Sequence, residues 1–265
     1  MAKIVRYLYQ GRAEYGELVG TEIAPLEGSI GSLNPADRPR VSLSRVRLLA
    51  PTAPSKVIAI GPGYRVHLKG GPAPARPYYW VKPASAVIGP DEVIERPADI
   101  PVVCHESELA IVIGKVSKDV PIERAYEHIF GYTCANDVSA GNLLNLDEYM
   151  KSQYLVDGKI FDTFAPIGPC IETDFAVGSS RVVCRVNGTV RQSHNTSDLL
   201  FSPSRLVQLI SSVLTLYPGD VISTGSPPGM GPLVDGDVVE VEIDGIGILR
   251  NAVRSKVTTP ETPAS

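Results

Sequence analysis

The stretch Cys104-His105-Glu106-Ser107-Glu108-Leu109-Ala110-Ile111-Val112-Ile113-Gly114 organises the reading of the whole chain. Leu109 to Ile113 is an apolar run rich in β-branched residues and stopped by Gly114, the pattern of a buried strand. Its beginning carries two carboxylates at i and i+2. On a strand that spacing puts Glu106 and Glu108 on one face, roughly 6–7 Å apart along the chain. Two acids on the same side of a strand that enters a core repel each other unless a cation lies between them. Oxygen-only ligands favour a hard divalent ion, Mg²⁺ before Zn²⁺. An exposed strand end with two solvated acids is the competing reading, and the stretch alone does not separate the two.

Upstream, Lys56–Ile60 reads as an apolar strand and Tyr78–Pro83 as another, with Tyr78 and Trp80 on one face as core residues. Between them, eight of the twenty residues from 61 to 80 are Gly or Pro, the composition of a loop that can move over a site. Gly61-x-Gly63 follows a strand, but no third glycine stands at position 66, so a nucleotide-binding fingerprint fails. Residues 1–52 contain short alternating segments, Lys3–Tyr9 and Val41–Leu49, and suggest a small β-rich N-terminal domain. Pro51-Thr52-Ala53-Pro54 reads as a linker, so a main domain is expected over 53–258 and a disordered tail over 259–265.

Downstream, Pro121–Phe130 fits a short helix closed by Gly131, followed by a strand that delivers Asp137 at its end. A second helix starts at Ser202 as N-cap with Pro203 in the first turn. Leu206, Leu209, Ile210, Val213 and Leu214 keep helical spacing, and Pro218-Gly219 is expected to end it. Short strands around Asp235-Gly236 and Asp244-Gly245 close a β-rich α+β chain.

The 265 residues carry a formal net charge of −4, which argues against nucleic acid or an anionic membrane as main partner. No apolar run has the length of a membrane span, and the first residues read as a strand, not a signal peptide. Cys104, Cys134, Cys170 and Cys184 form no C-x-x-C pair and read as buried free thiols of a cytoplasmic protein.

By Asp137 the pattern is specific. Over roughly residues 55–254 the chain resembles the fumarylacetoacetate hydrolase family. The match runs through Gly61-x-x-Tyr64-x-x-His67, Lys82-Pro83-x-Ser85, Glu106-x-Glu108-Leu109 and Gly131-Tyr132-Thr133-x-Ala135-Asn136-Asp137-Val138-Ser139-Ala140. It continues with Gly158-Lys159-x-Phe161-Asp162, Val186-Asn187-Gly188 with Gln192, Pro218-Gly219-Asp220 and Thr224-Gly225-Ser226-Pro227-x-Gly229. The resemblance implies a mixed β-roll or barrel core with a few helices, a homodimer, and Mg²⁺ or Mn²⁺ held by Glu106, Glu108 and Asp137. It implies a small-molecule 2-oxo acid or 1,3-dicarbonyl substrate whose enolate the cation stabilises as a Lewis acid. His67 matches the family's general base and Lys159 its active-site lysine. Tyr64, Thr224 and Gly225 match substrate-binding positions.

Departures accompany the match. Gly70 stands where a glutamate pairs with the loop histidine. Gly141, Asn142 and Leu144 stand where Arg, Asp and Gln follow the metal aspartate. Asp147 or Glu148 is a candidate replacement for the missing acid. These features imply C–C bond hydrolysis or decarboxylation first, and enol–keto or double-bond isomerisation second, which asks less of a water-activating base. A repurposed biosynthetic lyase, dehydratase or cyclase and a non-catalytic binding protein complete the alternatives. By strand alternation His105 points away from the two glutamates, and His128 and His194 are expected at the surface. Ser226 is followed by Pro227, which does not fit a nucleophile elbow.

Overall fold

Runs of Val, Ile and Ala between Gly, Pro and Asp turns form the strands of the molecule. In chain order the longer ones are β1 (Lys3–Tyr9), β2 (Arg12–Val19), β3 (Glu22–Glu27), β4 (Lys56–Gly61), β5 (Tyr78–Pro83), β6 (Val93–Pro97), β7 (Val103–His105), β8 (Ser107–Ile113), β9 (Ile129–Asn136), β10 (Ala165–Glu172), β11 (Arg181–Val186), β12 (Thr189–Asn195), β13 (Val221–Ser223), β14 (Val238–Ile243) and β15 (Gly247–Lys256). They come from a computed structural model that describes residues 2–141, 151 and 154–256. Asn142, Leu144, Asp147, Glu148 and the tail 259–265 lie outside the described residues.

The main sheet has the order β3-β2-β1-β10-β9-β8-β13-β4-β5, extended by short strands. Its neighbours along this path are antiparallel except β13 and β4, which run parallel with Val221 opposite Val57. The strands of residues 1–52 join this sheet through β1, where Lys3 faces Glu172. A second sheet runs β6-β15-β14-β11-β12, and a small third one places β7 between Ser139–Ala140 and Gly231–Pro232. The β-rich α+β architecture expected from the sequence is the one observed.

β8 is buried along its whole length because both of its faces are covered. Leu109, Ile111 and Ile113 share a core with Leu206, Val207 and Ile210 of the helix Pro203–Ser211 and with Val241 and Leu249 of the second sheet. Ala110 and Val112 pack on the other side with Val57, Ile167 and Ile171. A strand covered on both faces reads as a continuous apolar run, not as an alternation.

Several local expectations are corrected. The short helix expected over Pro121–Phe130 is a 3-10 helix over Ile122–His128, and Gly131 does not close it but lies inside β9. Its role there is close packing: a Cβ would sit 2.6 Å from the carbonyl oxygen of Glu172 on β10. The second helix is capped at Ser202 Oγ by the Arg205 N–H, but it ends at Ser211. There Ser211 and Ser212 hydroxyls donate to the carbonyls of Gln208 and Leu209, competing with helix propagation. Val41–Leu49 is broken by a 3-10 turn at Leu43–Arg45. Tyr78 is 65% exposed, not core, because β5 is the last strand of the sheet path. His128 and His194 are half-buried: His128 Nδ1 contacts Ser117 Oγ at 2.9 Å, and His194 meets the Tyr64 ring edge-on. All four cysteines are free and buried. Among the described residues no helix is long and apolar enough to cross a membrane.

Candidate active site

Glu106 is the residue at which the chain leaves the small sheet (β7) and enters the main one (β8). Glu108 follows two positions later, and Asp137 comes directly after β9, the partner of β8. The two strand ends are stitched together: Asp137 N–H donates to the Glu106 carbonyl at 2.9 Å, and Glu106 N–H donates to Asn136 Oδ1 at 2.9 Å. This brings one oxygen of each of the three carboxylates within 4.8 Å of the others.

Two buried lysines face them. Lys159 Nζ donates to Glu106 Oε1 at 2.7 Å and to Asp137 Oδ2 at 2.5 Å, and lies 5.3 Å from the centre of the Trp80 ring. Lys82 Nζ forms an ion pair with Asp137 Oδ1 at 2.6 Å and donates to the carbonyls of Val138 and Phe164. Burial would raise the Asp137 pKa, but the two ammonium groups outweigh it and hold the carboxyl below its ordinary range. Burial likewise opposes the charge on Lys159, and Asp137 and Glu106 overcome it, so its pKa is raised. For Lys82 burial prevails over Asp137 and the pKa is lowered.

Glu108 differs from the other two. Its Oε2 accepts from Ser223 Oγ at 2.5 Å and from Gly225 N–H at 2.7 Å, while its Oε1 is buried without a hydrogen-bond partner. Burial, then Asp137 and Glu106, push its pKa well above the ordinary carboxylate range. An orphaned carboxylate oxygen beside two further carboxylates is what a hard divalent cation satisfies, and the donor set is all oxygen. The residues present therefore fit Mg²⁺ or Mn²⁺.

The other residues singled out from the sequence lie around this cluster. His67 Nε2 is 2.9 Å from the Ser226 carbonyl oxygen, and Ser226 Oγ donates to Glu106 Oε2 at 3.0 Å. Tyr64 is fully buried, its hydroxyl without a partner; burial and then Glu108 raise its pKa. Thr224 Oγ1 and N–H both donate to the Leu109 carbonyl at 2.9 Å, so this hydroxyl and the Gly225 N–H are engaged with protein groups. Gly225 has φ +94° and approaches Gly63 so closely that a Cβ on either would collide with the other's backbone. His105 points the opposite way, to Gln192 and Cys184. A cleft of about 620 Å³ walled by Tyr9, Arg12, Arg38 and Arg40 lies in the N-terminal strands and includes none of these residues.

Lys82, Ser139, Ser223 and Ser226 were not assigned from the sequence as members of the carboxylate environment. Ser139 Oγ donates to Glu106 Oε1 at 2.9 Å. A signal existed for Lys82, which shares the inward face of β5 with Trp80 by alternation. The serines carry no spacing that marks them.

A family model described as "Fumarylacetoacetate (FAA) hydrolase C-terminal" matches residues 56–254. The chain belongs to the fumarylacetoacetate hydrolase family. A model described as "Rv2993c-like, N-terminal" matches residues 2–51. This fumarylacetoacetate hydrolase family chain is similar to the human mitochondrial oxaloacetate tautomerase FAHD2B, 40% identical over 231 residues, 82% of this chain and 73% of the relative. Its fold is similar to that of 5-carboxymethyl-2-hydroxymuconate delta-isomerase from Mycobacterium smegmatis (TM-score 0.87, 43% identity, 96% of this chain and 100% of that one). It is also similar to maleylpyruvate hydrolase from Sphingobium sp. SYK-6, determined with manganese(II) and pyruvate (TM-score 0.79, 30% identity, 96% and 100% covered). The family's members include hydrolases, isomerases and tautomerases, and the family assignment makes this chain an enzyme of that group.

Proposed function

We propose that the protein is a Mg²⁺- or Mn²⁺-dependent isomerase that moves a proton at the carbon next to the oxo group of a small 2-oxo acid, as in keto–enol tautomerisation. The observation that carries this reading is the setting of His67. A carbonyl oxygen only accepts, so His67 Nε2 must carry the proton it shares with Ser226, which leaves Nδ1 as the basic atom. Among the described residues no carboxylate pairs with this imidazole, and Gly70 supplies none. Among the described residues, then, the imidazole has what carrying a proton to and from carbon needs, and not the carboxylate support that water activation asks of a histidine. The tautomerase and isomerase relatives, at 40% and 43% identity, support the same direction.

Glu106, Glu108 and Asp137 would hold the cation. When bound, it supplies Lewis acidity that lowers the cost of negative charge on the substrate's oxygens. Lys159 keeps its proton and places a fixed positive charge beside the carboxylates among buried groups, where a charge acts strongly. Ser139, Ser223, Ser226 and Gly225 orient the carboxylate oxygens by donating to them.

The second reading is C–C bond cleavage of a 2-oxo acid or 1,3-dicarbonyl compound, by hydrolysis or decarboxylation. It is supported by the likeness to the maleylpyruvate hydrolase. Incubation with oxaloacetate and with acylpyruvates separates the two: the first reading expects loss of the enol absorbance without pyruvate release, the second expects pyruvate or a released acid. Activity indifferent to EDTA and to Glu106→Ala would overturn both.

A further inference from the structure

Gln192 is one of the motif residues to which the site assigns no task. It is 1% exposed and belongs to β12 in the second sheet, not to the strands that carry the carboxylates. The β11–β12 ladder pairs Cys184 with Gln192 and Arg185 with Val190, skipping Arg191. Such a bulge re-aims the neighbouring side chain, and here the Gln192 amide reaches the β7–β8 junction.

Its two ends do different things. Gln192 Oε1 accepts from Ser107 N–H at 3.1 Å, Ser107 Oγ at 3.0 Å and His105 Nδ1 at 3.1 Å. Its Nε2 donates to the Pro227 carbonyl at 2.6 Å. His105 and Ser107 are the two neighbours of Glu106. Pro227 follows Gly225 and Ser226, which donate to Glu108 Oε2 and Glu106 Oε2. One buried amide thus ties both flanks of Glu106 to the loop that supplies a donor to each glutamate. The task needs an acceptor and a donor on one side chain: a carboxylate lacks the donor and an aliphatic chain lacks both.

We propose that Gln192 is a positioning residue for the carboxylate centre, holding Glu106 and the 225–227 loop in mutual register so that the two glutamates present their oxygens to one cation. The inference rests on the metal-binding reading above. Partners of this kind, which orient ligands without touching the metal, are typically worth 10- to 100-fold in metal affinity.

The test uses the full chain with two readouts: Mn²⁺ affinity by electron paramagnetic resonance, and amide hydrogen exchange of the metal-free protein. Gln192→Met keeps the length and removes both polar ends. It is expected to weaken Mn²⁺ binding about 10- to 100-fold and to speed exchange at 105–107 and at the Gly225 and Ser226 amides. Gln192→Glu keeps the acceptor and loses the donor, so exchange should rise at the Gly225 and Ser226 amides while Ser107 stays protected; this variant decides the matter if Gln192→Met does not fold. A general loss of packing would not split the two segments in this way. The proposal is overturned if the folded variants bind Mn²⁺ within about twofold of the wild type, or if exchange in the two segments is unchanged. A wild type that binds no Mn²⁺ overturns the metal reading itself. That outcome is distinguishable from a failure of Gln192 alone, because exchange is read without metal.

Discussion

His67 Nε2 donates to the Ser226 carbonyl at 2.9 Å, and this contact fixes which imidazole nitrogen is basic. His67→Asn keeps a donor for the carbonyl but has no group that takes a proton from carbon. It should lower turnover of a 2-oxo acid about 10²- to 10⁴-fold with little effect on folding. A variant that retains wild-type turnover in a stopped-flow enol–keto assay would remove His67 from the chemistry.

Gly70 has φ +84° with open space around its Cα. Putting a glutamate back at this position is therefore not a free restoration of a histidine–carboxylate pair. Gly70→Glu should cost about 1–2 kcal/mol of stability from the left-handed backbone alone, read as a shift of the urea midpoint, and Gly70→Asn should cost less.

Glu108 places an unpartnered carboxylate oxygen beside two other acids. Glu108→Gln replaces an acid whose charged form burial and its two acidic neighbours disfavour, and offers an N–H₂ toward those neighbours. The metal-free variant should be more stable than the metal-free wild type by about 1–3 kcal/mol, while Mn²⁺ binding is lost. Calorimetry with and without Mn²⁺ checks both signs, and a less stable metal-free variant would contradict the reading.

Asp220 ties the start of β4 to the turn before β13. Its Oδ1 accepts from Ser55 N–H and Oγ at 2.9 and 2.7 Å, and its Oδ2 from Lys56 Nζ at 2.5 Å and Tyr217 N–H at 2.9 Å. Asp220 is fully buried, so Asp220→Ala leaves several donors and one cation unsatisfied. The expected loss is about 3–5 kcal/mol, measured by urea unfolding.

Tyr7 and the cysteines titrate late. Burial, then the Glu14 carboxylate that accepts its hydrogen bond, push the Tyr7 phenol up to about 12. A raised folded pKa means that the folded protein keeps a proton the unfolded chain gives up near 10. The linked stability is present in full below the unfolded value and is lost as pH rises toward about 12. The stability gap between wild type and Tyr7→Phe should shrink over that interval. Burial also raises the Cys170 thiol to about 11 and those of Cys104 and Cys184 to about 12. The native protein should thus leave a thiol reagent nearly unreacted at mildly alkaline pH, and the denatured chain should react at all four cysteines.

The apolar run of β8, the i, i+2 pair Glu106 and Glu108, and the Ser202 cap could be read directly, because each depends on residues close in sequence. Gly131 reads as a helix end in the sequence because glycine serves both to end helices and to admit a close neighbouring strand. Only the Glu172 carbonyl, more than forty residues away, shows which applies. Tyr78 looked like core because alternation gives a face but not whether anything covers it.

Residue order by itself determined the strands, the family and the three acids that could share a cation, since periodicity, turn residues and motif order are local properties. Tertiary structure alone decided that Lys159 and Lys82 neutralise Asp137, that Glu108 keeps one oxygen unpartnered, and that His67 rests on a carbonyl. It also decided that Gln192 joins the two halves of the centre. Each of these relations is a contact between segments distant in the chain, and such contacts exist only once the sheets have packed.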